Sequence, residues 1–424
     1  MKAVPHATSA SRAIPTVVTL LLALMPLLFA VSIRAKAAIP GILMLYGIYL
    51  LAFNREARAI YGGARSVATV FALSMLYAAA NIAGHHLRWN EFDLPSHILL
   101  FLFVAAAFTQ PIRIRWFWLA LSLTTALLGV VCIYQHHIEG APRAYGLDGG
   151  DWGVIELGMF MLVLALSAVV QLLREGLPRM ERIIHGVCAV LGMYGALLTQ
   201  SRGPLLACVP VFLLVVGLHA MRTKKWRQTL LVLAGAAVIA LISMVFVRSE
   251  ILERFNAIGQ EVSTYDANDS RGAVRERLEM WRVASHAFME HPVTGVGIDQ
   301  FGKYAQSQVM AGTASDAIAK YQHPHSEYFE AAVAGGVPGL LMLLFVLGTP
   351  LVFFGRRVLD PEDGVATAAT AGLLTVTMYA LCGLTDNVFY RAMPHSLFFF
   401  LTLGLAVWIS RLQREPAPRD AAAH

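Results

Sequence analysis

The residues with the most chemical potential in this 424-residue sequence are few, and most of them fall in three short stretches. Thr199-Gln200-Ser201-Arg202-Gly203-Pro204 sets one arginine in a turn of a few residues between two apolar runs. Residues 271–290 carry Arg271, Arg275, Arg277 and Arg282 around Trp281. Tyr321-Gln322-His323-Pro324-His325-Ser326-Glu327-Tyr328 then leads directly into another apolar run. A guanidinium keeps its charge at any physiological pH and offers phosphate oxygens a planar fork, so it can stabilise an anion but cannot accept a proton. Imidazole is the side chain that ordinarily titrates between pH 5 and 8, which suits a general base. The two types together offer fixed charge for a phosphate and a group that can take a proton.

Competing uses of the same residues have to be weighed. His-x-His with Glu327 or Asp316 is conceivable as a metal site, but the pair alone is a weak signature and no further ligand set stands out, so no metal is expected. Arginines on a surface helix are ordinarily a solvated face; that reading serves Arg271, Arg275 and Arg282, which cluster to one side. Arg277 instead projects into the apolar stripe one turn before Trp281, where it must meet a carboxylate or a phosphate. Arg202 is either a snorkelling arginine or a phosphate clamp at headgroup level. Cys132, Cys188, Cys208 and Cys382 lie in or beside apolar runs without paired spacing, which indicates neither a disulfide framework nor a zinc site.

The elements that position these residues are membrane helices. With 57% hydrophobic and 14% charged residues and a mean hydropathy of +0.61, the chain is too apolar for an ordinary soluble protein. The net charge of +6 comes from short basic clusters between the apolar runs, a topology signal and not a nucleic-acid surface. Runs of spanning length near 13–33, 37–52, 65–83, 95–110, 114–135, 152–172, 181–199, 203–220, 227–247, 330–354, 364–384 and 394–411 predict an all-α polytopic protein of about twelve transmembrane helices. The first is read as a retained span.

Basic connections at Arg55, Arg58 and Arg65, at Arg113 and Arg115, at Arg174, Arg179 and Arg182, at residues 222–227, and at Arg356 and Arg357 alternate with poorer ones. The positive-inside rule makes the rich set cytoplasmic, with both termini on that side and residues 412–424 as a tail. Spans within 1–247 and 330–411 then flank one large loop, 248–329, on the other face. A polar connection this long among short ones points to function. Within it, 271–290 has helical period, with Val274, Leu278, Trp281, Ala284 and Phe288 as its apolar stripe, an N-cap at Asp269 or Ser270, and a stop at Pro292. The segment from Thr385 through Asp386 and Asn387 to Arg391 lies on the same face as the loop.

In order along the chain come Ser201-Arg202-Gly203 after a span, Arg277-x-x-x-Trp281, His291-Pro-x-x-Gly-x-Gly-x-x-x-Phe301, and His323-x-His325 before an aromatic step into Val337-Pro338-Gly339-Leu340. Over roughly 199–345 this order resembles the O-antigen ligase and O-antigen polymerase family, and is most similar to the ligases that finish lipopolysaccharide. At Ser326 the family commonly has Asn. The resemblance implies a metal-independent, cofactor-free transfer in the bacterial inner membrane. Polysaccharide on undecaprenyl diphosphate would be the donor and the lipid A core oligosaccharide the acceptor, among membrane lipids and with no nucleic acid involved. It implies His325 as general base, Arg202 with Arg277 or Arg275 on the diphosphate, and His323, Arg271, Trp281, Tyr328 and Asp386 as substrate-binding positions. A polymerase would use the same donor and residues with another acceptor. A lipid-glycan transporter fits less well, because the centres of the apolar runs are nearly free of charge.

Overall fold

The computed structural model describes residues 9–31, 38–147, 149–150, 153–227, 229–231, 233–235 and 272–414. All regular structure among them is helical: α1 Ser9–Ala30, α2 Ala38–Phe53, α3 Arg55–Tyr61, α4 Arg65–Gly84, α5 Asp93–Val104, α6 Ile114–His137, α7 Val154–Leu172, α8 Arg179–Leu198, α9 Arg202–Thr223, α10 Ala273–Glu290, α11 Phe301–Met310, α12 Glu327–Gly355, α13 Asp363–Cys382 and α14 Ala392–Leu412, with short 3-10 turns between some of them. Nine helical stretches among the described residues are long and apolar enough to cross a membrane, and Ile14–Ala30 and Ala38–Phe53 are shorter apolar helices. These coincide with all the expected runs except 227–247, which lies largely outside the described residues, as do Arg271 and the expected N-cap at Asp269 or Ser270.

Most residues of α7, α13 and α14 are buried, so these three form the centre of the bundle. Small residues set a tight crossing between α6 and α8. A Cβ on Gly195 of α8 would lie 2.6 Å from Gly129 Cα of α6, an approach that only glycine permits.

Polar contacts sort the helix ends into two groups. At one end Asp363 bridges Arg174 and Arg222 at 2.9 and 2.8 Å, Lys225 meets Glu175 at 2.7 Å, Arg115 meets Glu181, and Arg411 donates to the Thr109 carbonyl. At the other, Arg143 donates to the Thr199 carbonyl, Arg391 pairs with Glu156, and His325 with Asp386. The basic connections of the sequence thus gather at one end and the residues of chemical interest at the other.

At that second end α12 is broken. Gly336 has φ 61° and ψ −147°, and Pro338 has no N–H to continue the ladder. Backbone groups released by a break must find other partners, most of all in a membrane. The loop after α10 supplies them: Val296 and Gly297 N–H donate to the Val333 and Ala334 carbonyls, and Val337 N–H donates to Pro292. Asn81 of α4 adds a side-chain bond to Ala334 and accepts from Ile298 N–H. Gly295 is required here, since a Cβ would sit 2.4 Å from Gly335 N. The His291-to-Phe301 motif is therefore a strap across a broken helix.

Beyond the strap, Met280, Val283, Ala284 and Ala287 of α10 pack with Phe301, Ala305, Ile318 and Val333 in a second small core. This corrects the expected stripe. The period is helical, but the buried face is turned toward residues 280, 283, 284 and 287, and Leu278 is exposed. The buried Glu279 takes both Arg282 nitrogens at 2.8 Å and the Ser315 N–H, so Arg282 closes this subdomain and is not simply a solvated charge.

Candidate functional site

Pro324 restricts its predecessor to extended backbone, and His325 follows in the left-handed region at φ 49°. Among the described non-glycine residues with positive φ, His86, Gln200 and Lys224 terminate helices, as left-handed residues commonly do. Asp299 and His325 instead precede helices, so surrounding contacts must impose the conformation. Around His325 those contacts are visible. Trp281 Nε1 donates to the Pro324 carbonyl at 3.0 Å, Asn387 Oδ1 accepts from Ser326 N–H at 3.0 Å, and Glu327 N–H donates to Gly383.

His325 Nδ1 lies 3.0 Å from Asp386 Oδ1, which also accepts the Asn387 N–H. Asp386 is 6% exposed. Burial works to raise its pKa, but the hydrogen bond and charge of His325, the Asn387 N–H and the charge of Arg277 together hold it below the usual carboxylate range. An ionised carboxylate can only accept, so Nδ1 of His325 carries a proton and Nε2 is the ring nitrogen left for a substrate. Tyr321 stands edge-on to His325 at 5.3 Å between ring centres, and its hydroxyl donates to Glu276 of α10. His323 packs 4.5 Å from His325 and 4.4 Å from Tyr390. Burial, then the charge of His325, pushes His323 down to about 4, so it is neutral at physiological pH.

The arginines separate by position. Arg277 shares a helix flank with Trp281 and Ala284 and acts electrostatically on Asp386. Arg275, two residues earlier, is turned about 200° away from it. Arg202 opens α9 directly after the turn at Thr199 to Ser201, which Arg143 ties down through Thr199 O and Ser201 Oγ. Gly203 lies so near the Asp386 segment that a Cβ would come 2.7 Å from Thr385 Oγ1. Trp281 stacks on Phe329 at 5.5 Å, and Tyr328 donates to the Ala380 carbonyl, so both position the histidine turn and its helix.

Sequence reasoning missed Arg391 and Glu156, which pair at 3.1 Å, and Asn387, which holds Ser326. The available signal was a single acidic residue opening an apolar run at Glu156, and the polar stretch that already drew attention to Asp386. His323, His325 and Asp386 present ligand atoms within 4.8 Å of one another, a set that could take a cation. Asp386 Oδ1, however, is already engaged by His325 Nδ1 and Asn387, the arrangement of a carboxylate that orients a histidine.

The fold and site define a polytopic helical membrane protein that gathers a carboxylate-supported histidine and arginines at one end of its bundle. Residues 187–344 match the model of the O-antigen ligase family. The match takes in Arg202, Arg275, Arg277, His323 and His325, while Asp386 is brought to them from outside it. A Haemophilus influenzae protein described as "Uncharacterized protein" is 23% identical over 276 residues, covering 63% of this chain and 67% of that protein. The family segment supports a glycosyl-transfer function in lipopolysaccharide assembly.

Proposed function

We propose that this protein transfers a polysaccharide from undecaprenyl diphosphate to the lipid A core oligosaccharide, at the outer face of the bacterial inner membrane and without a metal. The observation that carries the reading is the His325–Asp386 pair at 3.0 Å with Arg277 acting on the same carboxylate. It combines an imidazole oriented through Nδ1 with fixed positive charge, the two requirements of this chemistry.

In the proposed step the acceptor hydroxyl oxygen attacks the anomeric carbon, and its proton passes to Nε2 of His325. The bond from that carbon to the diphosphate oxygen breaks, and its electron pair leaves with the diphosphate, inverting the centre. Arg277 and Arg202 meet the charge that develops there. The first N–H groups of α9, which receive no side-chain cap from Ser201, add a favourable pole for an anion. His323, held neutral, packs the base without competing for its proton. The imidazolium that forms is stabilised by Asp386 and discharges to solvent.

Purified protein in liposomes, given lipid-linked glycan and core acceptor with a chelator and no nucleotide, is expected to yield joined product of inverted anomeric configuration. Transfer that requires an added divalent cation would replace the base with a metal at His323, His325 and Asp386.

A further inference from the structure

Beside the histidine turn, a cavity of about 450 Å³ descends between α4, the segment leading into α5, α12 and the start of α14. Its upper wall carries Glu91, Asp93, Asp299, Glu327 and Glu330, and its lower wall is apolar, with Ile98, Met342, Leu343, Val346 and Phe399; among the described residues no lysine or arginine lines it. Past the break at Gly336, the wall follows α12 from Gly339 to Val346, about 10 Å along the helix.

Asp93 and Asp299 of the acidic wall are exposed, whereas Glu91, Glu327 and Glu330 are half-buried. His395, 4% exposed, lines the cavity, and its Nδ1 has no hydrogen-bond partner among the described residues. Glu330 Oε2 is likewise covered and without a partner, although the same carboxyl receives the Asp299 N–H. Buried polar atoms left this way are costly unless a ligand or water completes them. Asp299, in the left-handed region at φ 60°, shares a hydrogen bond with Glu91. Burial first, then Glu91, raises its pKa to about 6 against the lowering effect of Lys303, so Asp299 is largely an acceptor at neutral pH. Asn387 and Tyr390 border both this cavity and the histidine turn.

We propose that the cavity is a saccharide subsite, taking an uncharged, hydroxyl-bearing sugar at the level of Glu330, Asp299 and His395, with an apolar chain or aglycone along Met342 to Val346. Hydroxyls can donate to the carboxylates and meet the unpartnered His395 Nδ1, whereas a phosphate would face five acidic side chains with only Lys303, acting on Asp299, to offset them. The proposal deepens the glycosyl-transfer reading by dividing the site into an arginine side for the diphosphate and a carboxylate side for sugar.

Binding can be read without turnover, which separates this proposal from the catalytic one. Full-length protein in nanodiscs is exposed to an alkyl glucoside bearing a photoreactive group in its chain, and to an alkyl phosphate of the same chain and group. Saturable labelling of the 342–346 segment by the glucoside is expected, with at least five-fold less by the phosphate. Glu330→Gln and Glu330→Ala should each lower glucoside labelling at least five-fold, and Val346→Trp, which fills the shaft and leaves the acidic wall intact, should block it. His325→Ala should label like wild type even if transfer proves to follow another route. Sugar released from the donor and sugar released from the acceptor are each used as competitors, and the one that displaces the label identifies the source. Equal labelling by the two probes, no response to either Glu330 variant, or displacement of the glucoside by calcium ions but by neither sugar would overturn the proposal.

Discussion

Replacing Asp386 with Asn tests whether the carboxylate is part of the base. The variant keeps the volume of a side chain that is 6% exposed but removes the charge that fixes the His325 proton on Nδ1 at 3.0 Å. A hydrogen bond to an ionised acceptor contributes about 1.5–3 kcal/mol. When the imidazolium forms, its charge centre lies about 4 Å from the carboxylate, and an effective dielectric of about 20 gives an attraction of about 4 kcal/mol as an upper bound. The two contributions overlap, so the expected loss in the transition state is about 2–4 kcal/mol, or roughly 30- to 1000-fold in rate. The assay is single-turnover transfer in liposomes, with Asp386→Asn, His325→Ala and the double variant compared. Groups acting as one unit lose little more when both are removed, so the double variant should match His325→Ala. Asp386→Asn within three-fold of wild type, or a double variant whose loss is the product of the two single losses, would refute the reasoning.

Further expectations concern the clamp and the scaffold. Arg277→Ala should lower transfer by about 2–4 kcal/mol, roughly a hundredfold, with little rescue by Lys, which lacks the fork; Arg275→Ala, on another face of α10, should stay within a few-fold, and the reverse order in the same transfer assay would move the clamp to Arg275. Gly295→Ala places a Cβ against the backbone of α12 at 2.4 Å and should lower the apparent melting temperature and expose the strap to proteolysis, whereas Leu278→Ala should do neither. His323 has a folded pKa of about 4 against about 6.5 unfolded, so the unfolded chain gains the proton first as pH falls. Stability is therefore intact above pH 6.5 and is lost between about 6.5 and 4, a decline that a melting series should find shallower in His323→Gln.

The membrane spans were legible because about twenty apolar residues in a row have few alternatives to crossing a bilayer. The period of α10 was legible as well, but not its phase: Leu278 and Met289 face outward, while Ala284 and Ala287 let the small core close tightly. An apolar residue on a helix beside a membrane can face lipid as readily as core, so hydrophobicity alone does not choose between faces. Val337-Pro338-Gly339-Leu340 was legible as a motif, but the helix break beside it emerges only with the strap that caps the broken ends. Within the site, Arg202, Arg277, His323 and His325 sit in short motifs and could be singled out. The Glu156–Arg391 pair joins residues 235 positions apart, and no local pattern carries such a partnership. Asp386 could be placed on the correct face, but its bond to His325 depends on how α13 and α14 pack.

The most direct test of the central claim compares His325→Gln with wild type for donor retention and single-turnover transfer in the same liposomes. Gln preserves polarity but cannot take the hydroxyl proton, so the account predicts unchanged donor binding with transfer lowered at least a hundredfold. Transfer within a few-fold of wild type, or a loss of transfer matched by an equal loss of donor binding, would contradict it.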